Sequence, residues 1–205
     1  MLQNRVNPLG NIIKTQARGA WMGNRGILHD ENQTILRPFK LKAWLICELE
    51  FKGRQRQVMA PNRYTELFFI DEATAFAAGH RPCFECRRSD YNLFKSYWLK
   101  GNPEYGFDKK TSIQKIDAIL QQERITRDKF KVTYTENIKN LPDGAFFVFE
   151  EKPYLLLNGR MYLWSPFGYD EGNMQPSVDS VEVLTPRSTI NAFKAGYKPQ
   201  IAIEL

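Results

Sequence analysis

The strongest alternating pattern in the first half of the chain is Lys42–Phe51 (KAWLICELEF). Leu45, Cys47, Leu49 and Phe51 share one face, and Glu48 and Glu50 lie on the other, which predicts a half-buried strand. Gly53 closes it, and Arg54–Met59 reads as a return strand. Upstream, the first 25 residues are polar and rich in Gly and Asn, which predicts an irregular arm or an edge strand. Arg25–His29 is a short strand candidate, and Asp30–Thr34 is a turn. Leu67–Ile70 is a short buried strand. Asp71 then caps a two-turn helix over 72–78, Gly79 fits the left-handed position after it, and Pro82 prevents resumption. Ser89 is the expected cap of a second helix, Asp90 to Leu99, with Tyr91, Phe94 and Trp98 on one face.

Residues 100–110 are charged and carry Gly and Pro, which suggests a linker. Beyond them, Ile113, Ile116 and Leu120 mark a helix over 112–123. Strands are expected at Ala145–Phe149, Tyr154–Leu157, Arg160–Trp164 and Val181–Leu184, with Asn158-Gly159 as a hairpin turn. A last helix starts at Thr185-Pro186 and ends at Gly196, before a tail strand at Gln200–Leu205. The pattern implies an α+β fold of mostly antiparallel sheets with short helices, divided into residues 1–100 and 101–205. Phe76–Pro82 (FAAGHRP) is echoed by Phe193–Pro199 (FKAGYKP), and both read as the same helix stop.

Composition narrows the class. Of 205 residues, 42% are hydrophobic and 25% charged, which excludes a disordered chain, a collagen and a coiled coil. No apolar run is long enough for a membrane span, and MLQNRVNPLG has no signal-peptide pattern. Three cysteines make no disulfide framework, so a cytoplasmic protein with reduced thiols is expected. Charge is uneven. Residues 1–100 hold 16 Lys+Arg against 9 Asp+Glu, a net of +7, while residues 101–205 net −1. The basic half also holds every cysteine and histidine, and such a half attracts nucleic acid through its phosphates.

Cys83-Phe-Glu-Cys86 supplies the chemistry. Two residues between thiols let a tight turn aim both sulfurs at one point, as in zinc knuckles and redox dithiols; the alternative is two unlinked thiols. Its place between two helices disfavours the redox version, which wants a helix N-terminus in a βαβ unit. Zinc asks for two further ligands. Cys47, His29, His80 and nearby acidic residues are the candidates, and His80 reads as packing on the helix end.

Phe68–Arg88, with its alanine-rich helix and A-G-x-R-P-C-x-x-C run, resembles the second half of the Ada-type zinc domain of methylphosphotriester DNA-repair proteins. Arg25–His29 is similar to that family's earlier strand, with His29 where the family has its first cysteine and Gln33 where it has the second. The resemblance implies a zinc-stabilised N-terminal half facing DNA phosphates. It implies a closed site of His29, Cys47, Cys83 and Cys86, with Cys47 filling the vacant position. Methyl transfer is not implied, because a histidine stands where the accepting thiolate would be. The layout, with its G-N-R-G, Y-T-E-L-F-F and W-x-x-x-G-Y stretches, is also similar to a wider set of bacterial proteins, which implies no activity.

Arg54, Arg56, Arg63, Arg81, Arg87 and Arg88 form the expected nucleic-acid contact, with Tyr64, Phe84 and Tyr91 as stacking faces. No phosphate loop, hydrolase elbow or zincin motif occurs. His29-Asp30 with Glu66 is the nearest approach to a nuclease. Tyr162, Trp164, Phe167 and Tyr169 suggest core or a ring-binding platform. Three readings follow: a zinc protein contacting nucleic acid, a zinc-stabilised structural or interaction module, and an enzyme acting on nucleic acid through Cys47 or His29.

Overall fold

The structure, a computed structural model, describes residues 4–54, 57–170 and 178–203. It is α+β, with two six-stranded sheets and short helices. The first sheet has the order β2-β1-β5-β3-β4-β6, from β1 (Asn4–Val6), β2 (Ile12–Lys14), β3 (Trp21–Asn24), β4 (Leu45–Cys47), β5 (Leu67–Phe69) and β6 (Arg81–Pro82). It is mixed, with β1–β5 and β4–β6 parallel. The second sheet is antiparallel throughout, in the order β11-β10-β9-β8-β12-β7. Its strands are β7 (Tyr134–Asn137), β8 (Phe146–Phe149), β9 (Lys152–Leu157), β10 (Arg160–Ser165), β11 (Gly168–Tyr169) and β12 (Ser180–Val183). Asn158 and Gly159 form the two-residue turn between β9 and β10, both at positive φ as a type I′ turn requires.

The helices are α1 (Glu72–Ala77), α2 (Arg88–Gly101), α3 (Ile113–Arg124) and α4 (Arg187–Lys194). Helix α1 is buried along its whole length. Its cap is the Asp71 side chain, which accepts from the Thr74 amide at 2.8 Å. The echoed helix stops share one geometry. Gly79 N–H donates to Phe76 and His80 N–H to Ala75; Gly196 N–H donates to Phe193 and Tyr197 N–H to Ala192. Both glycines have positive φ. The two stops also touch, since the Phe76 ring packs edge-on against Phe193 and Tyr197.

Several expected elements differ. The strand over 42–51 shrinks to Leu45–Cys47, and Leu49 is half exposed, because the chain turns through Lys52 and Gly53 at positive φ. Of the return strand expected at Arg54–Met59, Gln55 and Arg56 lie outside the described residues, and 54 and 57–59 form no strand. The strand at 25–29 is displaced to Trp21–Asn24, because Gly26 at φ 96° breaks the extension, and His29 keeps a single bridge to Ile35. The N-terminal arm supplies the edge strand β2, as expected, and also β1, which lies inside the sheet beside β5. Helix α2 starts before Ser89, with the Arg87 carbonyl accepting from Tyr91. Residues 102–107 are no free spacer, since Tyr105 and Phe107 stack on Trp98. The described part of the tail, 200–203, pairs with no strand. Its Gln200 and Ala202 amides instead donate to Glu72 and Asp71 at the start of α1.

Ion pairs and buried cations tie the halves together. Arg81 on β6 makes a two-pronged bond to Asp117 on α3, both at 2.7 Å and both buried. The Trp44 ring lies between two guanidiniums, Arg25 at 3.9 Å and Arg124 at 4.0 Å. Arg124 also donates to the Gly79 and Lys42 carbonyls. Lys131 donates to the Ala77 carbonyl, and burial together with the nearby Arg25 and Arg124 charges pulls its ammonium down to about 7.

Two outcomes follow. A Cβ at Gly79 would lie 2.5 Å from Arg124 Cδ at a left-handed φ of 89°, so Gly79→Ala is expected to cost more than the ~1–2 kcal/mol of the backbone term alone in denaturant melts. Unfolded Lys131 holds its proton up to about pH 10.4. The folded chain releases it near 7, so folding is favoured increasingly as pH rises between those values. Lys131→Met should flatten that rise, by at most about 1.4 kcal/mol per pH unit, in melts compared at pH 7 and 9.

Candidate metal centre

The site begins with the parallel pairing of β4 and β6. Arg81 N–H donates to the Trp44 carbonyl at 3.0 Å and Cys83 N–H to the Ile46 carbonyl at 2.9 Å. Pro82 lies between these two donors, and it has no N–H to offer. This ladder sets Cys83 beside Cys47 at the end of β4. The chain then turns through Phe84 and Glu85, with Arg87 N–H closing on the Cys83 carbonyl at 3.1 Å, and the turn swings Cys86 back. The three sulfurs lie within 4.8 Å of one another. Cys47 and Cys83 are buried and Cys86 is half-buried.

These thiols share protons. Hydrogen bonds from the Cys47 and Cys86 thiols, and from the Glu85 amide at 3.4 Å, hold Cys83 well below the ordinary thiol range. Its bond to Cys83, with burial, pushes Cys47 far up. A divalent ion would displace the protons and neutralise most of the charge. The spacing fits: three sulfurs each about 2.3 Å from a tetrahedral metal are about 3.8 Å apart.

The structure brings Cys47, Cys83 and Cys86 together and does not bring His29. Among the described residues no histidine or carboxylate joins the three within the same distance. His29 is buried elsewhere, its Nδ1 2.6 Å from the Thr65 hydroxyl and its Nε2 3.3 Å from the Ala60 carbonyl. His80 packs between Trp44 and Phe69, and its Nε2 accepts from Arg25.

The arginines part company. Arg81 is committed to Asp117. Arg87 is buried between Glu72 at 2.6 Å and Asp90 at 2.7 Å, with its guanidinium 3.9 Å over Trp21. Neither faces phosphate, contrary to the sequence expectation, because each has an acidic partner whose proximity only the fold creates. Arg54 pairs with Glu85 at 2.6 Å on the surface. Arg63 and Arg88 are exposed, Arg88 lying 4.1 Å over the exposed Phe84 ring. Arg56 is outside the described residues. In the second half, Trp164 donates to Thr74 and Tyr169 to Asp71, so these rings seat α1, and Phe167 alone of that group is strongly exposed.

A cavity of about 270 Å³ opens on the cysteines. Met22, Phe51, Val58 and Phe68 give it apolar walls. Glu66 adds a buried carboxylate, held by the Met59 amide at 2.8 Å. Sequence reasoning noticed Glu66 only beside His29 and missed the cavity, whose walls come from segments far apart in the chain. No helix of the described residues is long and apolar enough to cross a membrane. Comparison of the chain with family models, curated proteins and solved structures gives no match.

Proposed function

We propose that Cys47, Cys83 and Cys86 hold one zinc ion and that the chain is a zinc-binding protein. The convergence of three sulfurs within 4.8 Å carries this reading. Soft thiolates select zinc or copper(I) over hard cations, and the C-x-x-C turn is a familiar zinc element. The resemblance of Phe68–Arg88 to an Ada-type zinc domain supports the same choice. Bound metal would fasten β4 to the turn after β6, and so stabilise the N-terminal half.

A second reading, contact with nucleic acid, is favoured by one observation. The fully buried charges of residues 1–100 cancel, with Arg25, Arg81 and Arg87 set against Glu66, Asp71 and Glu72. Among the described residues of this half an excess of +6 therefore remains on groups that are not buried. Arg54, Arg63 and Arg88, with the exposed Phe84 ring, are the contacts this reading uses.

The expected metal content is one zinc per chain by elemental analysis of protein purified without chelator. Cys83→Ser with Cys86→Ser should abolish it. Free zinc at about 100 times its Kd should stabilise the wild type by about 2.7 kcal/mol in melts and leave the double variant unmoved. A zinc-free wild type whose stability ignores zinc contradicts the proposal. For the second reading, binding to single-stranded DNA should weaken about eighteenfold between 50 and 200 mM salt if three phosphates are contacted. Replacing Arg54, Arg63 and Arg88 by alanine should remove most of that slope, and absence of binding at low salt rejects the reading.

A further inference from the structure

The metal site has three protein donors where a closed zinc site has four. Among the described residues nothing of ligand type completes it, and His29 is held away by Thr65 and Ala60. Beside the cysteines lies the cavity. Three protein ligands with an adjoining space are the arrangement of zinc sites that exchange their fourth ligand. We propose that the fourth position faces this cavity and takes a small, uncharged aromatic nitrogen heterocycle; this rests on the zinc reading above.

Size and charge select that class. An apolar cavity of about 150 Å³ already admits benzene, so about 270 Å³ holds a one-ring or two-ring molecule. Phe51, Phe68 and Met22 offer the faces and sulfur contacts that an aromatic ring prefers. Three thiolates around a divalent ion leave a net charge of −1, and the Glu66 carboxylate lies in the same wall. Arg54, the one cation lining it among the described residues, is paired with Glu85. An anionic ligand meets repulsion here, whereas a neutral ring nitrogen does not.

Glu66 supplies the orientation. One of its oxygens accepts the Met59 amide, which fixes the carboxylate in the cavity wall. A ring that gives one nitrogen to the metal can give its second, as N–H, to Glu66. This is the carboxylate–imidazole–metal arrangement that orients imidazole ligands elsewhere, here with the ring supplied from outside the chain.

The test uses the full chain loaded with cobalt(II), whose visible bands report the ligand set. Imidazole should shift those bands saturably while the sulfur-to-cobalt absorption persists. Benzimidazole should bind more tightly because of the apolar walls, and acetate should have no effect. Glu66→Gln should keep the ligand-free spectrum and weaken imidazole about tenfold. Bands that ignore imidazole, or that acetate shifts equally, overturn the proposal. An unchanged imidazole affinity in Glu66→Gln overturns the role given to Glu66. Failure to bind cobalt or zinc at all overturns the zinc reading beneath it.

Discussion

The bond from the Cys83 amide to the Ile46 carbonyl is the contact on which the site depends. It belongs to a parallel pair only two residues deep, and Pro82 in that pair has no amide to donate. Such a pair cannot stand alone. It is held from above by Gly79, whose left-handed conformation releases the chain from α1 into β6, and from the side by Arg81, locked on Asp117. The thiol cluster is thus the end of a mechanical chain that begins in a helix stop.

That chain runs into the second half of the molecule. Arg124 on α3 grips the Gly79 carbonyl and stacks on Trp44, immediately before β4. Asp71 and Glu72 at the start of α1 collect the tail amides, the Tyr169 hydroxyl and the Arg87 guanidinium. Charged groups in the interior are costly unless paired. Here Arg81 on β6 is paired with Asp117 on α3, and Arg87 before α2 with Glu72 on α1, so burial of charge and placement of the cysteines are one problem. Arg25 and Arg124 are the exception. They are paired with an indole face and backbone carbonyls instead of carboxylates, and each keeps one buried nitrogen, Arg25 Nη2 and Arg124 Nε, without a hydrogen-bond partner.

Residues 67–99 were the most legible stretch, because their structure is decided by near neighbours. The cap at Asp71, the glycine after α1 and the buried face of Tyr91, Phe94 and Trp98 are local effects. The cysteine turn was legible for the same reason, and Cys47 entered as a candidate by its place on one face of the strand expected over 42–51. The N-terminal sheet was not legible. Its strands are two to four residues long, two of its pairings are parallel, and its partners come from up to 63 positions away, as with Arg5 and Phe68. Arg81 and Arg87 looked like phosphate contacts because Asp117 and Glu72 approach them only in the fold. His29 looked like a ligand because nothing in its own segment announces the Thr65 hydroxyl that holds it.

The account stands on three sulfurs sharing one ion with room for a fourth, external donor. X-ray absorption at the zinc edge of the zinc-loaded chain measures this directly. It should show three sulfurs at about 2.3 Å and one nitrogen or oxygen. A first shell with two or fewer sulfurs would contradict it, because the pairing of β4 with β6 would then not deliver Cys47 to the metal.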